Sequence, residues 1–120
     1  VSSVRSALLK ISSKIASNFQ GKKILITGSN GKTSTTRIIS RSLPKCSSTI
    51  KNYNNEIGLP VSLMSANKDS KYIVLEAGAA KKGDIGYLSK IVKPDIGIIT
   101  NIGNSHLEKL KNVEGVFKVI

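Results

Sequence analysis

The chain has 120 residues, enough for one small domain with a single core and too few for a separate substrate domain. Hydrophobic residues make up 39% and charged residues 22%, a composition typical of a globular domain rather than a disordered one. No apolar run approaches the roughly 20 residues that span a bilayer, and the single cysteine, Cys46, excludes an internal disulfide. These features predict a cytoplasmic, monomeric domain without a membrane partner. The first residue, Val1, and the lone methionine, Met64, predict an excerpt of a longer polypeptide.

The charge balance is strongly basic, with 19 Lys and Arg against 7 Asp and Glu and a net charge of +12. A domain that binds nucleic acid is one interpretation, since basic proteins favour polyanionic partners. That interpretation calls for clustered basic residues with aromatic side chains between them. The lysines instead occur in ones and twos, and only five residues are Phe or Tyr. We therefore expect no nucleic-acid partner and interpret most of these basic residues as a solvated face that also contributes to attracting phosphate-bearing substrates.

Helix and strand patterns alternate along the chain. Apolar residues recur at helical spacing between Val4 and Ile15, which predicts a helix over about 3–18 that packs on the edge of a sheet. The segment 22–27 reads as a buried strand, and a helix from about 32 to 43 follows and ends before Pro44.

The segment 45–60 is polar and predicts a loop, with an extended piece at 48–51. Pro60 suits the first turn of a short helix that ends at Ser65. The remaining predicted elements are a strand at 71–76, a helix at 84–92 and a strand at 96–100. This alternation predicts an α/β fold with a mostly parallel sheet in three αβα layers.

A phosphate-binding loop is the strongest motif, and its sequence is Thr27-Gly28-Ser29-Asn30-Gly31-Lys32-Thr33-Ser34. It lies between a predicted strand and a predicted helix, the context in which such loops bind nucleotides. Lys32 is expected to neutralise the β- and γ-phosphates, and the Thr33 hydroxyl is expected to hold Mg²⁺. The residues expected to contact the cofactor are Gly28, Ser29, Asn30, Gly31, Lys32, Thr33 and Ser34. The loop is short, since its first glycine lies three residues before Gly31 rather than five.

Two further strand ends carry polar residues. Glu76 ends the second strand, where a carboxylate beside a phosphate loop is placed to coordinate a metal. The third strand leads into a polar segment, 100–106, that holds the only histidine, His106. Alone, each residue has a simpler interpretation, as an ordinary acidic strand end and as a surface histidine. Their convergence with the phosphate loop at one crevice favours a functional site.

Together these motifs resemble the central ATP-binding domain of the Mur ligases, whose short phosphate loop is matched by TGSNGKT at 27–33. Within that family the sequence is most similar to the MurF branch, which adds D-alanyl-D-alanine to UDP-N-acetylmuramoyl tripeptide in peptidoglycan synthesis. The segments that carry this choice are Asn54-Asn55-Glu56-Ile57-Gly58-Leu59-Pro60, Glu76-Ala77-Gly78-Ala79, Gly83-Asp84-Ile85, Pro94-Asp95, Thr100-Asn101-Ile102-Gly103 and His106-Leu107-Glu108.

The resemblance implies a partial Mur ligase central ATPase domain over 21–120, preceded by a leading helix or linker over 1–20. The N-terminal and C-terminal domains of the family would lie outside this sequence. ATP and Mg²⁺ would be the cofactors, and UDP-N-acetylmuramoyl tripeptide and D-alanyl-D-alanine the substrates, joined through an acyl phosphate. The catalytic residues would be Lys32, Glu76 and His106.

By the same resemblance, the metal ligands would be Thr33, Glu76 and His106, while Asn54 and Asn55 would lie near the substrate. The family pattern also has a lysine that becomes carbamylated, about where Ile120 stands here, and Lys118 falls two residues early. Two alternatives stay open: another Mur-like ligase, such as a folylpolyglutamate synthase or a different peptidoglycan ligase, and an inactive nucleotide-binding fragment. We expect no turnover by the chain alone.

Overall fold

The computed structural model describes residues 3–49, 57–79 and 83–103. Four helices and four strands alternate through these segments: α1 Val4–Asn18, β1 Lys22–Thr27, α2 Lys32–Ser42, β2 Cys46–Ser48, α3 Gly58–Met64, β3 Tyr72–Glu76, α4 Asp84–Val92 and β4 Ile96–Ile99. None of the helices in these segments is long and apolar enough to cross a membrane.

The strands form one sheet in the order β2-β3-β1-β4. Each of the three strand pairs is parallel, with β1 in the centre between β3 and β4. The apolar runs of β1 and β3 explain their central place, because a strand covered on both faces must present buried side chains on both sides. The short strand β2 and the exposed strand β4 form the two edges.

Alternation along the strands divides the buried side chains between two faces. Ile24, Ile26 and Val74 point to the α2 side, where they pack with Ile39 of the helix and with Leu43, its C-cap residue. The residues between them, Leu25, Ile73 and Leu75, join a larger cluster with residues of α1, α3 and α4 on the opposite side. The predicted three-layer αβα arrangement with a parallel sheet is confirmed.

The leading helix α1 packs against α3 and α4. The Ser3 side chain caps its first turn by accepting a hydrogen bond from the Ser6 amide at 3.1 Å. At its other end the buried Lys23 ammonium donates to the carbonyl of Ala16 at 2.9 Å, where the helix dipole favours a positive charge. The expected position of α1 on a sheet edge is therefore wrong. The helix lies over one face of the sheet, where it packs against α3 and α4.

The elements on either side of segment 50–56, which lies outside the described residues, differ most from the sequence-based expectation. The extended piece lies at Cys46–Ser48 rather than at 48–51, because these three residues pair with β3 and add a fourth strand to the predicted three. The short helix α3 starts at Gly58, two residues before Pro60. Proline is accommodated there because the first-turn amides of a helix have no intrahelical acceptor.

Candidate nucleotide-binding site

The phosphate loop connects the end of β1 to the start of α2, as the motif requires. Gly28 and Gly31 both have positive φ angles, 139° and 83°, which bend the chain in a way that side chains disfavour. Gly31 is the N-cap of α2, and no side chain caps the first turn of this helix. The amides of that turn therefore remain available as donors to an anion at the positive end of the helix.

The segment after β4 supports the loop from the side. The amide of Ser29 donates to the Asn101 carbonyl at 3.1 Å, and the amide of Asn30 donates to Oδ1 of Asn101 at 2.9 Å. In return, the Thr100 hydroxyl donates to the Asn30 carbonyl at 2.6 Å, and the Gly103 amide donates to Oγ of Ser29 at 2.8 Å. These contacts fix the loop conformation across neighbouring strands.

Sequence reasoning missed this supporting role, because it treated 100–106 only as a polar segment at a strand end. A signal was present, since Thr100 and Asn101 follow a strand predicted to lie in the same parallel sheet as β1. The sequence does not give the order of the strands in the sheet, which places β4 directly beside β1.

Lys32 is the first residue of α2, and its side chain turns back over the loop. Its Nζ donates to the Gly28 carbonyl at 2.8 Å. This contact holds the ammonium group over the loop and beside the uncapped first turn of α2, so that a positive charge and hydrogen-bond donors lie close together. A lysine in this position is suited to bind the phosphates of a nucleotide. Ser34 lies on the exposed side of the first turn of α2.

Glu76 ends β3 on the side of the sheet that faces α2. It is 2% exposed, and its Oε2 accepts a hydrogen bond from the Thr33 hydroxyl at 3.2 Å. The backbone amide of Glu76 donates to Oγ1 of Thr49 at 2.7 Å, which fixes the strand end. Within the described segments, no lysine or arginine forms an ion pair with this carboxylate. Burying a carboxylate without a cation beside it costs free energy. The oxygens of Glu76 and Thr33 are therefore suited to bind a cation.

The donor set fits Mg²⁺ in particular. Mg²⁺ prefers oxygen ligands and takes only one or two from the protein, the rest coming from phosphates and water. Neighbouring oxygen ligands of octahedral Mg²⁺ lie roughly 2.9 Å apart, given its short metal–oxygen bonds. Thr33 Oγ1 and Glu76 Oε2 are 3.2 Å apart. Over residues 3–49, 57–79 and 83–103, no group of three His, Cys, Asp or Glu side chains converges on a metal position.

Several predicted site residues lie outside the described residues. They are Asn54 and Asn55, His106, and the pair Lys118 and Ile120. The structure therefore brings together the phosphate loop, Lys32, Thr33 and Glu76, and it leaves the second metal ligand and the substrate residues as predictions.

A protein-family comparison agrees with this site. The model of the Mur ligase middle domain matches residues 26–119, which include the whole phosphate loop and β3. The chain belongs to the Mur ligase family. Among relatives of this Mur ligase chain, the UDP-N-acetylmuramoyl-tripeptide–D-alanyl-D-alanine ligase of Buchnera aphidicola subsp. Baizongia pistaciae is 46% identical over 113 residues, which cover 92% of this chain and 25% of that protein. The enzyme of the same name from Bacillus subtilis is 42% identical over 94 residues, or 76% of this chain and 21% of that protein.

Solved structures of Mur ligases have the same fold. A crystal structure of MurF from Acinetobacter baumannii matches with a TM-score of 0.93 and 35% identity, covering 99% of this chain and 27% of that one. MurF from Thermotoga maritima in complex with ADP matches with a TM-score of 0.90 and 34% identity, covering 99% of this chain and 29% of that one. The chain thus spans about a quarter of the length of the relatives it matches.

Proposed function

We propose that this chain is the nucleotide-binding part of an ATP-dependent ligase that forms a C–N bond between D-alanyl-D-alanine and UDP-N-acetylmuramoyl tripeptide. The observation that carries the proposal is the hydrogen bond between Thr33 and the buried Glu76, directly beside Lys32 and the uncapped first turn of α2. The names of the most similar relatives supply the choice of substrates.

In this proposal the loop binds the phosphates of ATP. The amides of the first turn of α2 donate to phosphate oxygens, and Lys32 leaves its contact with the Gly28 carbonyl to neutralise them. The amides need no large rearrangement, because Asn101 and Thr100 already hold the loop. Preorganised donors of this kind stabilise developing negative charge without reorganisation at the moment of reaction.

Thr33 and Glu76 are proposed as the protein ligands of Mg²⁺. When bound, Mg²⁺ would supply positive charge that offsets the repulsion between a substrate carboxylate and the triphosphate. Glu76 would hold it from the buried side through its carboxylate, and Thr33 through its hydroxyl. His106 is proposed as a ligand of a second ion, and Asn54 and Asn55 as substrate contacts, by family resemblance alone.

The proposed reaction begins with attack of the tripeptide carboxylate on the γ-phosphorus atom of ATP, which breaks the bond to the β-phosphate bridging oxygen and releases ADP. The amino group of D-alanyl-D-alanine then attacks the acyl phosphate, and phosphate leaves as the amide forms. Lys32 would contribute by holding the transferred group in line with the attacking oxygen. The proposal also includes a cytoplasmic location. It divides the chain into a leading helix or linker over 1–20 and an ATPase region over 21–120.

The test is calorimetric titration of the chain with ATP in the presence and absence of Mg²⁺, repeated on Lys32→Ala. We expect Mg²⁺-dependent binding by the parent chain and at least a tenfold loss of affinity in the variant, because removing one charge-assisted contact costs about 1.5–3 kcal/mol. Lys14→Ala is the matched control, since Lys14 is an exposed lysine on α1, across the sheet from the loop. Equal affinity of the parent and Lys32→Ala would rule out the loop as the phosphate site.

A further inference from the structure

A polar pocket of about 360 Å³ lies beside the proposed magnesium site, between α2 and the ends of β2 and β3. Thr33 and Glu76 line one end, and Arg37 and Arg41 of α2 line it further along the helix. None of the phosphate-loop glycines contributes to this lining, so the pocket extends from the proposed magnesium site along α2. The proposed chemistry of ATP binding leaves most of its lining without a role.

Thr36 is the unusual residue of this pocket. Its side chain is 4% exposed, and its hydroxyl has no hydrogen-bond partner among the residues that the structure describes. Several other helical hydroxyls donate to a carbonyl one turn earlier, as Ser12 does to Leu8 at 2.6 Å and Ser42 to Ile38 at 2.8 Å. A buried hydroxyl without a partner is costly, and it is retained where a ligand completes it. Thr36 lines the pocket, so a polar group placed there would be its partner.

The two arginines give the pocket its charge preference. Arg37 and Arg41 are one helical turn apart, and within the described residues neither forms an ion pair with an acidic side chain. Their guanidinium groups match planar carboxylates, which they bind through paired hydrogen bonds. Ser40 and Thr49 add hydroxyl groups to the same lining. This part of the pocket therefore fits a small anionic group with several oxygen atoms.

The spacing along α2 narrows the identity of that group. With a rise of about 1.5 Å per residue, Arg37 lies roughly 6 Å along the helix axis from Thr33. The name of one Acinetobacter baumannii relative describes a peptide substrate ending in 2,6-diaminopimelate. Its two carboxylate carbons are joined by a five-carbon chain and, when extended, lie about 7 Å apart by standard bond lengths. One carboxylate at the Thr33 end would therefore bring the other close to Arg37.

We propose that the pocket binds the distal, non-reacting carboxylate of a 2,6-diaminopimelate residue in the peptide substrate. Arg37 and Arg41 pair with this carboxylate, and the Thr36 hydroxyl donates to it. The inference rests on the proposed ligase function and deepens it, because it makes α2 a determinant of which diamino acid the substrate carries. A lysine residue at the same place lacks the distal carboxylate and leaves both arginines and Thr36 unpaired.

The test compares two probes that differ by one carboxylate, N,N′-diacetyl-2,6-diaminopimelate and N,N′-diacetyllysine. Their affinities for the ¹⁵N-labelled chain are measured by NMR titration with Mg²⁺ and ADP present. We expect the diaminopimelate probe to bind at least tenfold more tightly and to shift the amide signals of residues 36–41. Arg37→Gln/Arg41→Gln should reduce this ratio to about one. Lys10→Gln/Lys14→Gln, which removes the same charge from α1, should leave the ratio unchanged.

Thr36→Val separates a ligand contact from a structural role. We expect this variant to lower the ratio of affinities severalfold while its melting temperature stays equal to that of the parent or rises. A structural hydroxyl would instead give a lower melting temperature with the ratio unchanged. A ratio near one in the parent, or a ratio that falls equally in the α1 lysine variant, would overturn the proposal.

The same titrations test the carboxylate pocket and the proposed ATP-dependent function separately. Lys32→Ala should lose ATP binding in the calorimetric titration, and in NMR titrations without ADP it should prefer the diaminopimelate probe as much as the parent does. A parent chain that bound the probe selectively but bound no Mg²⁺-nucleotide would contradict the ATP-dependent function and not the carboxylate pocket. Displacement of the probe by equimolar inorganic phosphate would mark a general anion site and contradict the carboxylate assignment.

Discussion

The two faces of the sheet differ in how their buried polar groups are satisfied. On the face covered by α1, α3 and α4, the buried Lys23 ammonium, Ser12 hydroxyl and Ser62 hydroxyl each donate to a backbone carbonyl. On the α2 face, within the described part of the chain, the Thr36 hydroxyl has no partner, and Glu76 has a neutral hydroxyl rather than a cation beside it. These polar groups of the first face are therefore satisfied by the protein itself, whereas those of the second are the groups that the proposed ligands would complete.

The apolar packing follows the same division. The three-helix face holds the larger cluster of buried residues, which are Ala16, Leu25, Leu59, Leu63, Ile73, Leu75, Ala77, Ile85, Leu88 and Val92. The α2 face holds a smaller buried cluster of Ile24, Ile26 and Val74. We infer that the three-helix face supplies most of the stability that keeps strained and unpaired groups in place on the α2 face.

The largest expected effect is on the three-helix face. Leu75→Ala removes a fully buried side chain of β3 and leaves a cavity in the larger cluster. We expect the free energy of unfolding to fall by about 2–5 kcal/mol, as for other large-to-small core changes. Urea denaturation followed by circular dichroism measures it. Ile99→Ala is the control, since Ile99 of the edge strand is 57% exposed and should change stability little. Similar losses for both variants would contradict the assignment of the core.

A smaller effect is expected at the phosphate loop. A Cβ added at Gly28 would overlap Oγ1 of Thr100 and lie 3.1 Å from backbone atoms of Asn101, at a φ of +139°. Gly28→Ala must therefore displace the segment that supports the loop, and we expect a loss of about 2 kcal/mol or more and weaker ATP binding. Differential scanning calorimetry and ATP titration measure these two quantities.

Gly31→Ala is the matched control for Gly28→Ala. Gly31 also has a positive φ, +83°, but nothing lies within 4 Å of its added Cβ. Only the backbone strain of about 1–2 kcal/mol is expected there. Equal losses for the two variants would show that the contact with Thr100 contributes nothing to the loop.

Glu76→Gln tests whether a bound cation offsets the buried negative charge on the α2 face. Without Mg²⁺ and nucleotide, removing a buried negative charge should leave the free energy of unfolding unchanged or raise it by about 1 kcal/mol. The increase in melting temperature that the parent gains from Mg²⁺ and ATP should be lost, because ligand-induced stabilisation scales with affinity. A variant that is less stable without ligand, yet still stabilised by Mg²⁺ and ATP, would show that Glu76 has a structural role only.

The smallest effect is expected at the opposite end of the sheet. Oδ2 of Asp95 accepts a hydrogen bond from the Lys23 amide at 2.8 Å. This bond, with the charges of Lys22 and Lys23, lowers the pKa of Asp95 below its ordinary value of 3.8. The folded-state pKa is thus below that of the unfolded chain, so the contribution to stability is present above pH 3.8 and is lost as the pH falls through the folded-state pKa.

Asp95→Asn should therefore be slightly less stable than the parent at pH 7, and the difference should shrink as the pH falls below about 4. Denaturation curves at a series of pH values measure this difference. Asp69→Asn removes the same charge at another exposed position and serves as the control. A difference between Asp95→Asn and the parent that is constant from pH 7 to pH 3 would contradict the role of this hydrogen bond.

The motif-bearing elements were predictable from the sequence because local chemistry determines them. The strand at Lys22–Thr27 and the helix at Asp84–Val92 were predicted with their observed bounds. Apolar runs and a glycine-rich loop followed by Lys32 specify these elements without help from distant residues. By contrast, the pairing of Cys46–Ser48 with β3 was not predicted, because a three-residue polar strand has no periodic pattern of its own.

The sequence by itself determined the α/β class, the phosphate loop and the choice of Lys32, Thr33 and Glu76 as candidate site residues, since each depends on residue types at fixed spacing. Only the tertiary structure decided the strand order β2-β3-β1-β4, and with it the support of the loop by Thr100 and Asn101. It also decided that Thr36, Arg37 and Arg41 line one pocket with Glu76. The physical reason is that hydrogen-bond partners and pocket neighbours 35 to 71 residues apart are chosen by packing, which no local pattern encodes.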